Sequence, residues 1–250
     1  MKELKCSFTG VTDEKKQNFN NQRALLAVSV NNIQKNINRF SAILKLIFQY
    51  FENCTIIVGD TLQRHTLAMQ SDKETTVCYD DVIALGDEWL AAHEKICKGY
   101  EGRIKIVRWD EWLNHPSFEE SKLMIMDEMQ KDSAYKQYFT ESIDAYLNRY
   151  ENRLTPANTF NRKKAESLCW DYLIEECAVF RLWPSTESHF VIYDGTYPSA
   201  MKETFIRFIN QQQSYPFDLL NIYFNDGEIR EPQILILDNS SKLSTLKNYA

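Results

Sequence analysis

Glycine and proline are scarce in this 250-residue chain, at 7 and 6 residues. So few chain breakers leave little room for a flexible linker, and no internal repeat or low-complexity stretch is present. The sequence therefore reads as one domain over residues 1–250, with loose ends at 1–20 and 239–250. No run approaches the roughly 20 apolar residues that a membrane-spanning helix needs. Met1-Lys2-Glu3-Leu4-Lys5 does not lead into the apolar core of a secretion signal. The six cysteines (Cys6, Cys54, Cys78, Cys97, Cys169, Cys177) contain no C-x-x-C pair and no Cys/His cluster. That scatter predicts reduced, mostly buried thiols and no metal site. There is no G-x-G-x-x-G and no Walker loop, so no cofactor is expected. Together these absences predict a cytoplasmic protein with no membrane attachment.

What is present is enough apolar residue to build a sizeable core, 44% against 26% charged. The net charge of −6 argues against a general nucleic-acid binder, but it averages an uneven distribution. From His93 to Arg108 stand Lys95, Lys98, Arg103, Lys105 and Arg108; from Ala145 to Lys164 stand Arg149, Arg153, Arg162, Lys163 and Lys164. Phe118 to Ala134 is acidic, with Glu119, Glu120, Asp127, Glu128 and Asp132. Such runs are commonly solvated helix faces, yet a phosphate-bearing partner needs only a local basic patch.

Residues 24–30 form a short apolar run without a helical stripe and read as a buried strand ending near Ser29. Lys35 to Phe51 places Ile37, Phe40, Ile43, Leu44, Ile47 and Phe51 on one helical face. Cys54 to Val58 is a second buried strand, closed by Gly59-Asp60. Helices follow at Thr61 to Met69 and Asp80 to Cys97, then a strand at Arg103 to Arg108. This alternation predicts an α/β fold with a mostly parallel sheet, whose ligands collect at the carboxyl ends of the strands. Helices are expected at 117–130, 132–151 and 159–182, the last capped by Asn158 or Thr159. A strand at His189 to Tyr193, a helix at Pro198 to Gln211 and strands at 219–224 and 234–237, joined by a turn at 225–227, complete the chain.

Ser29 lacks the G-x-S-x-G frame of a hydrolase nucleophile, and none of the four histidines stands in a recognisable triad. On spacing alone a serine ending a strand is more often a backbone partner, and Tyr172 with Glu176 is more often a surface pair. The H-I-G-H and K-M-S-K-S sequences with which class I aminoacyl-tRNA synthetases use ATP are absent. If Ser29 is catalytic, its substrate must arrive activated.

Four segments, in order, carry a resemblance: Ala27-Val28-Ser29 with Asn32, Val58-Gly59-Asp60-Thr61-Leu62, Tyr172-x-x-x-Glu176, and Tyr197-Pro198. Together they resemble the tRNA-dependent cyclodipeptide synthases over roughly residues 20–215. Tyr197-Pro198 is similar to the subfamily with a Tyr-Pro motif, whereas Asn32 is typical of the other branch, and Ala27 replaces a usual glycine. The resemblance implies a single Rossmann-like domain akin to class I synthetase catalytic domains. It implies that two aminoacyl-tRNAs, used in turn, give a cyclic dipeptide without ATP or metal, through aminoacyl-serine and dipeptidyl-serine forms of Ser29. The expected sequence has the amine of the second aminoacyl-tRNA attacking the serine ester, and then ring closure. Tyr172 and Glu176 would hold the substrate ammonium, and Tyr197, competing with Tyr193, or Glu176 would move the proton near the reacting ester. Leu25, Ala27, Asn32 and Val179 would line the amino-acid pocket. Lys95, Lys98, Arg103, Lys105, Arg153, Arg162, Lys163 and Lys164 are the implied tRNA contacts. A monomer without a stable protein partner is expected. The competing reading is a tRNA- or nucleotide-binding Rossmann-like module without chemistry, and a weaker one is a serine esterase.

Overall fold

The computed structural model describes residues 4–30, 33–71, 73–152, 160–210 and 217–224. The chain begins with β1 (Cys6–Phe8) and α1 (Asp13–Gln17), and continues through β2 (Arg23–Ser29), α2 (Ile33–Tyr50) and β3 (Asn53–Gly59). A 3-10 turn at Thr61–Gln63 leads into α3 (Arg64–Gln70), α4 (Cys78–Lys98), β4 (Ile104–Arg108) and α5 (Trp109–Leu113). The helical middle comprises α6 (Phe118–Lys131), α7 (Ser133–Glu151) and α8 (Arg162–Phe180). Then come β5 (Phe190–Tyr193), α9 (Ser199–Thr204), one π-helical turn at Phe205–Ile209, and β6 (Asp218–Phe224). The sheet order is β1-β6-β5-β2-β3-β4, with every pairing parallel except β1 against β6.

Alternation along the strands divides the core between the two sheet faces. Leu25, Ile57 and Val191 point to the side covered by α5 to α9, and Leu26, Ile56 and Ile192 to the side covered by α2 and α4. The expected stripe supplies Phe40, Ile43, Leu44 and Ile47 from α2, and Phe51 just beyond its end, to the second side. The described cysteines are all unbridged; Cys54, Cys78 and Cys177 are buried. Among the described residues no helix is long and apolar enough to cross a membrane.

Two expectations need correction. Residues 4–20 are not a loose end, residues 1–3 lying outside the described residues: β1 pairs with β6, Phe8 opposite Ile222, and the Thr12 side chain caps α1. Phe19, fully buried, stacks on Phe51 at 4.9 Å and meets Phe190 at 4.5 Å, so aromatic burial ties this arm to the sheet. The cap of α8 is Asn161, whose side chain accepts from the Lys164 amide at 3.1 Å. Asn158, Thr159, the turn at 225–227, the strand expected at 234–237 and the tail at 239–250 lie outside the described residues.

The carboxyl ends of β3 and β4 are joined by charge. Asp60, fully buried, accepts from the Thr61 amide at 2.7 Å and from Arg108 Nε at 2.6 Å. Arg108 also donates to Asp87 at 2.5 Å and to the Ile83 carbonyl at 3.0 Å, both on α4. The close approach requires Gly86: a Cβ there would fall on the Asp60 carboxylate and on Arg108, with Asp60 Cβ at 2.9 Å. Gly86→Ala is therefore expected to destabilise the fold by about 1–3 kcal/mol, the usual cost of overpacking, despite alanine's better helix propensity. Thermal unfolding checks this; an unchanged or higher midpoint would show that α4 can back away freely.

Candidate active site

β2 pairs in parallel with β3 on one edge and β5 on the other, so the chain reverses its direction of travel across the sheet between β2 and β5. Helices leave the two strands on opposite sides there, and a crevice opens at their carboxyl ends. A cavity of about 480 Å³ occupies this place. Ser29, the last residue of β2, lines it together with Tyr172 and Glu176 from α8, and Tyr193 and Tyr197 from the end of β5 and the loop beyond. The structure thus brings all four residues expected to be catalytic to one cavity. Ala27 lines it as well.

Adjacent glutamates on α8 have opposite surroundings, because neighbours on a helix point about 100° apart. Glu175 is buried, and its carboxylate accepts from Trp109 Nε1 at 2.9 Å and from Arg64 Nη1 at 2.9 Å. Arg64 Nη2 bonds its other oxygen, and His65 Nε2 lies 3.3 Å from that oxygen. Hydrogen bonds from His65 and Arg64 outweigh burial and hold its carboxyl below the usual range. Glu176 faces the cavity instead. Burial, then the negative charge of Glu175, pushes its carboxyl up to about 8. Glu176 is therefore mostly a neutral acid at pH 7.

The tyrosines divide similarly. Burial raises the Tyr172 hydroxyl well above its ordinary value; Glu176 adds to this, and a hydrogen bond from Gln63 opposes it. Tyr193 is raised by burial and by the same Glu176 charge, so its hydroxyl shares the field of that carboxyl. The Tyr197 hydroxyl donates to the Val191 carbonyl at 3.0 Å, and its ring meets Tyr193 at 5.5 Å. Tyr197 is 4% exposed, with its proton committed to the backbone.

Other expected site residues are dispersed. Leu25 and Val179 are fully buried in the core beneath the cavity and are not among its lining residues. Asn32 and Arg153 lie outside the described residues. Lys95 and Lys98 end α4, Arg103 precedes β4 and Lys105 is early in it, so all four belong toward the amino ends of the strands. A strand the length of β3 puts that end roughly 20 Å from Ser29. Arg103 is further committed to the Phe51 and Glu52 carbonyls, both at 2.9 Å. Arg162 to Lys164 begin α8, the helix that carries Tyr172 and Glu176. Arg162 is paired with Glu151 at 2.6 Å, and Lys164 donates to the Ser71 carbonyl at 3.3 Å. Sequence reasoning missed Gln63, His65 and Arg64, which act on α8 from the turn after β3; the only signal was a polar Gln-Arg-His run following an acidic strand end.

The raised Glu176 carboxyl has a stability consequence. Between the usual carboxylate value near 4.5 and about 8, the folded protein holds a proton that the unfolded chain releases. Stability contributed by this group is therefore lost as pH rises across that window. Glu176→Gln is expected to melt higher than the parent at pH 8, with the gap closing toward about pH 5. Thermal melts across this range check it; a gap independent of pH would mean that another group is held neutral.

No protein-family model matches the chain, and no curated protein matches it. Solved structures do. A cyclodipeptide synthase from Fluoribacter dumoffii is 31% identical, with a TM-score of 0.81 over 89% of this chain and 99% of its own. A cyclodipeptide synthase from Candidatus Glomeribacter gigasporarum, solved bound to Phe-tRNAPhe, shares 18% identity and a TM-score of 0.65 over 88% of this chain and 92% of its own. A Mycobacterium tuberculosis protein, whose structure relates cyclodipeptide synthetases to type I tRNA synthetases, shares the fold at 10% identity and a TM-score of 0.61, covering 89% of this chain and 93% of its own. The two distant matches show the fold; the identity and near-complete coverage of the first show that this chain belongs to the cyclodipeptide synthase family.

Proposed function

We propose that this protein joins two aminoacyl groups from two aminoacyl-tRNAs into a cyclic dipeptide, by way of esters on Ser29 and without ATP. The observation that carries the reading is one cavity, at the β2–β5 reversal, lined by Ser29, Tyr172, Glu176 and Tyr197. Membership in the family and the tRNA bound to the Glomeribacter enzyme support it. Tyr197-Pro198 favours the Tyr-Pro subfamily.

An aminoacyl-tRNA is already an activated ester, so each step exchanges one acyl bond for another. Ser29 Oγ attacks the ester carbonyl; the bond to the ribose oxygen breaks, and the serine proton ends on that oxygen. The amine of the Ser29-bound residue then attacks the ester of the second aminoacyl-tRNA, releasing its tRNA and leaving a dipeptidyl-serine. This corrects the direction expected from the sequence. Were the second aminoacyl-tRNA's amine to attack the serine ester, the dipeptide would depart on tRNA and no dipeptidyl-serine would form. In the last step the terminal amine attacks the serine ester, closes the ring and restores the hydroxyl.

Each attacking amine must first lose a proton. Glu176, with its carboxyl near 8, is matched to an α-ammonium, whose ordinary value is about 7.7–8.0. A proton passing between such groups crosses little free-energy difference, which suits a general base. In its ionised form Glu176 also holds the ammonium, with the Tyr172 hydroxyl one turn away. Tyr197, whose proton is committed to Val191, offers oxygen lone pairs to an amine N–H and so orients it. Ala27, beside the serine, narrows the amino-acid pocket compared with a glycine.

For the tRNA, the exposed face of α4 is unsuitable, since Asp87, Glu88 and Glu94 stand on it and Glu94 pairs with Lys98. Arg162, Lys163 and Lys164, on the helix that enters the cavity, fit the acceptor end better.

Expression of the chain in bacteria, with mass spectrometry of the medium, tests the function. Cyclic dipeptides are expected from the parent and none from Ser29→Ala, which should fold normally. Labelled aminoacyl-tRNA should leave its label on a peptide containing Ser29. Full activity of the alanine variant would overturn the covalent route. Neutralising Lys163 and Lys164 together should weaken aminoacyl-tRNA binding and flatten its salt dependence by roughly 0.7–0.9 per lost phosphate contact. The same change at Lys95 and Lys98 should leave both unaltered; the reverse outcome would put the acceptor stem on α4.

A further inference from the structure

The second half of α8 presents a problem of register. From Tyr172 to Phe180 no residue of the helix is exposed, so there is no solvent-facing side to fix its rotation. Apolar packing alone tolerates small rotations of such a helix, because any face it turns still meets a core. Yet Glu176 and Tyr172 must point at a serine on another element, β2.

One polar assembly specifies the rotation. Glu175 receives hydrogen bonds from Trp109, the first residue of α5, and from Arg64, the first residue of α3. His65 lies within 3.3 Å of it, and its ring meets Tyr172 edge-on at 6.3 Å. Arg64 is itself anchored on the Thr61 carbonyl at 2.8 Å, and Gln63 of the same turn bonds Tyr172. The turn after β3 thus grips α8 on two adjacent faces. A buried carboxylate with its donors in fixed directions is intolerant of rotation in a way that leucine packing is not.

We infer that Glu175, clamped by Arg64, His65 and Trp109, is a positioning residue that sets the rotation of α8 and thereby aims Glu176 and Tyr172 at the Ser29 ester. The inference rests on the proposed reaction. It differs from a merely structural ion pair in what it predicts for the chemistry of an enzyme that has already folded and been acylated. Removing the Glu175 charge also acts on Glu176 directly. Among the described residues, the other titratable groups in electrostatic reach of Glu176 include Tyr172 and Cys177 on α8 and Tyr193 on β5. Arg39, Glu141, Arg149, Asp194 and Lys202 line the same cavity.

The test uses Glu175→Gln and Trp109→Phe, with Ser29 acylated by labelled aminoacyl-tRNA to count competent sites. Turnover of the aminoacyl-serine by a second aminoacyl-tRNA is then measured per labelled site, at saturation and across pH. Both variants are expected to let aminoacyl-enzyme accumulate, with turnover per site falling toward about a hundredfold, the scale of an ångström's misplacement. In Glu175→Gln the rise of activity with pH should also move to lower pH, since the negative neighbour of Glu176 is gone. A purely structural role would lower the melting midpoint and the number of labelled sites but leave turnover per site and its pH profile at parental values. That result in Trp109→Phe overturns the inference, even if Glu175→Gln fails to fold. Parent protein that neither labels at Ser29 nor releases a cyclic dipeptide would instead overturn the proposed function, so the two failures are separable.

Discussion

The parallel pairing of β2 on both of its edges is the constraint from which the rest of the site follows. A strand hydrogen-bonded in parallel to β3 and to β5 must receive a crossover on each side, and the two crossovers cannot share a face at the point of reversal. The gap left between them is where α8 reaches the end of β2. Ser29 stands at the cavity because it is the last residue of that strand. The register that sets Ala27 opposite Tyr193 brings β5's end to the same level. Moving β2 by one residue would exchange Leu25 and Ala27 for Leu26 and Val28 on the face covered by α5 to α9 and turn Ser29 to the other side.

Around this crevice the protein uses buried charge in two opposed ways. Asp60 with Arg108, and Glu175 with Arg64, are ion pairs whose remaining hydrogen-bonding capacity is met by backbone or side-chain partners. Such pairs are poor sources of net stability compared with apolar packing, but they are strict about geometry. Both lie at the carboxyl ends of the strands, where helices must be placed relative to one another. Glu176 is the reverse case: its carboxyl is raised by burial and by Glu175, with no cation contributing to its shift. In the proposed reaction the positive charge would come from the substrate ammonium. The fold therefore fixes one glutamate as a structural anion and leaves its neighbour responsive, an arrangement in which separated carboxyl affinities mark separated roles.

Much of the sheet was legible because it rests on short-range pattern. The apolar runs at β2 and β3 and the helical stripe of α2 are local signals, and their order implied parallel crossovers. The four motif residues were legible from the resemblance, since each carried its own neighbours. What escaped notice depends on distant pairing. β1 is three residues long; its Phe8 meets Phe51, and Phe19 of the same arm meets Phe51 and Phe190, partners that no window around the arm contains. Glu175 carried no local sign of its role, because Arg64 and His65 lie 111 and 110 residues earlier and Trp109 lies 66 residues earlier. Leu25 and Val179 were assigned to the pocket by alignment; they share the faces of Ala27 and Glu176 but stand further along strand and helix, inside the core. The basic window from His93 to Arg108 was a count along the chain. Folded, its Lys95, Lys98, Arg103 and Lys105 fall at the end of α4 and the start of β4, toward the amino ends of the strands, and Arg108 at the other end of β4 is committed to Asp60 and Asp87.

That last point bears on how an acidic protein can take a polyanion. Screening confines the influence of exposed charges to about 8–10 Å in physiological salt, so the overall charge of −6 matters less than the charges beside the entry to the cavity. In the proposed reaction the negative residues on α4 would repel phosphate from that flank, while Lys163 and Lys164 stand at the start of α8, whose middle carries Glu176. The same helix would then meet the RNA at its first turn and the amino acid at its middle. Lys164 and Glu176 are twelve residues apart, about 18 Å along the axis. This is a span that a few unstacked nucleotides at a tRNA terminus can cover, so a phosphate held at the start of α8 leaves the ester within reach of Ser29. Entry from the amino ends of the strands would require the acceptor end to pass through the packed sheet, which its interior does not permit.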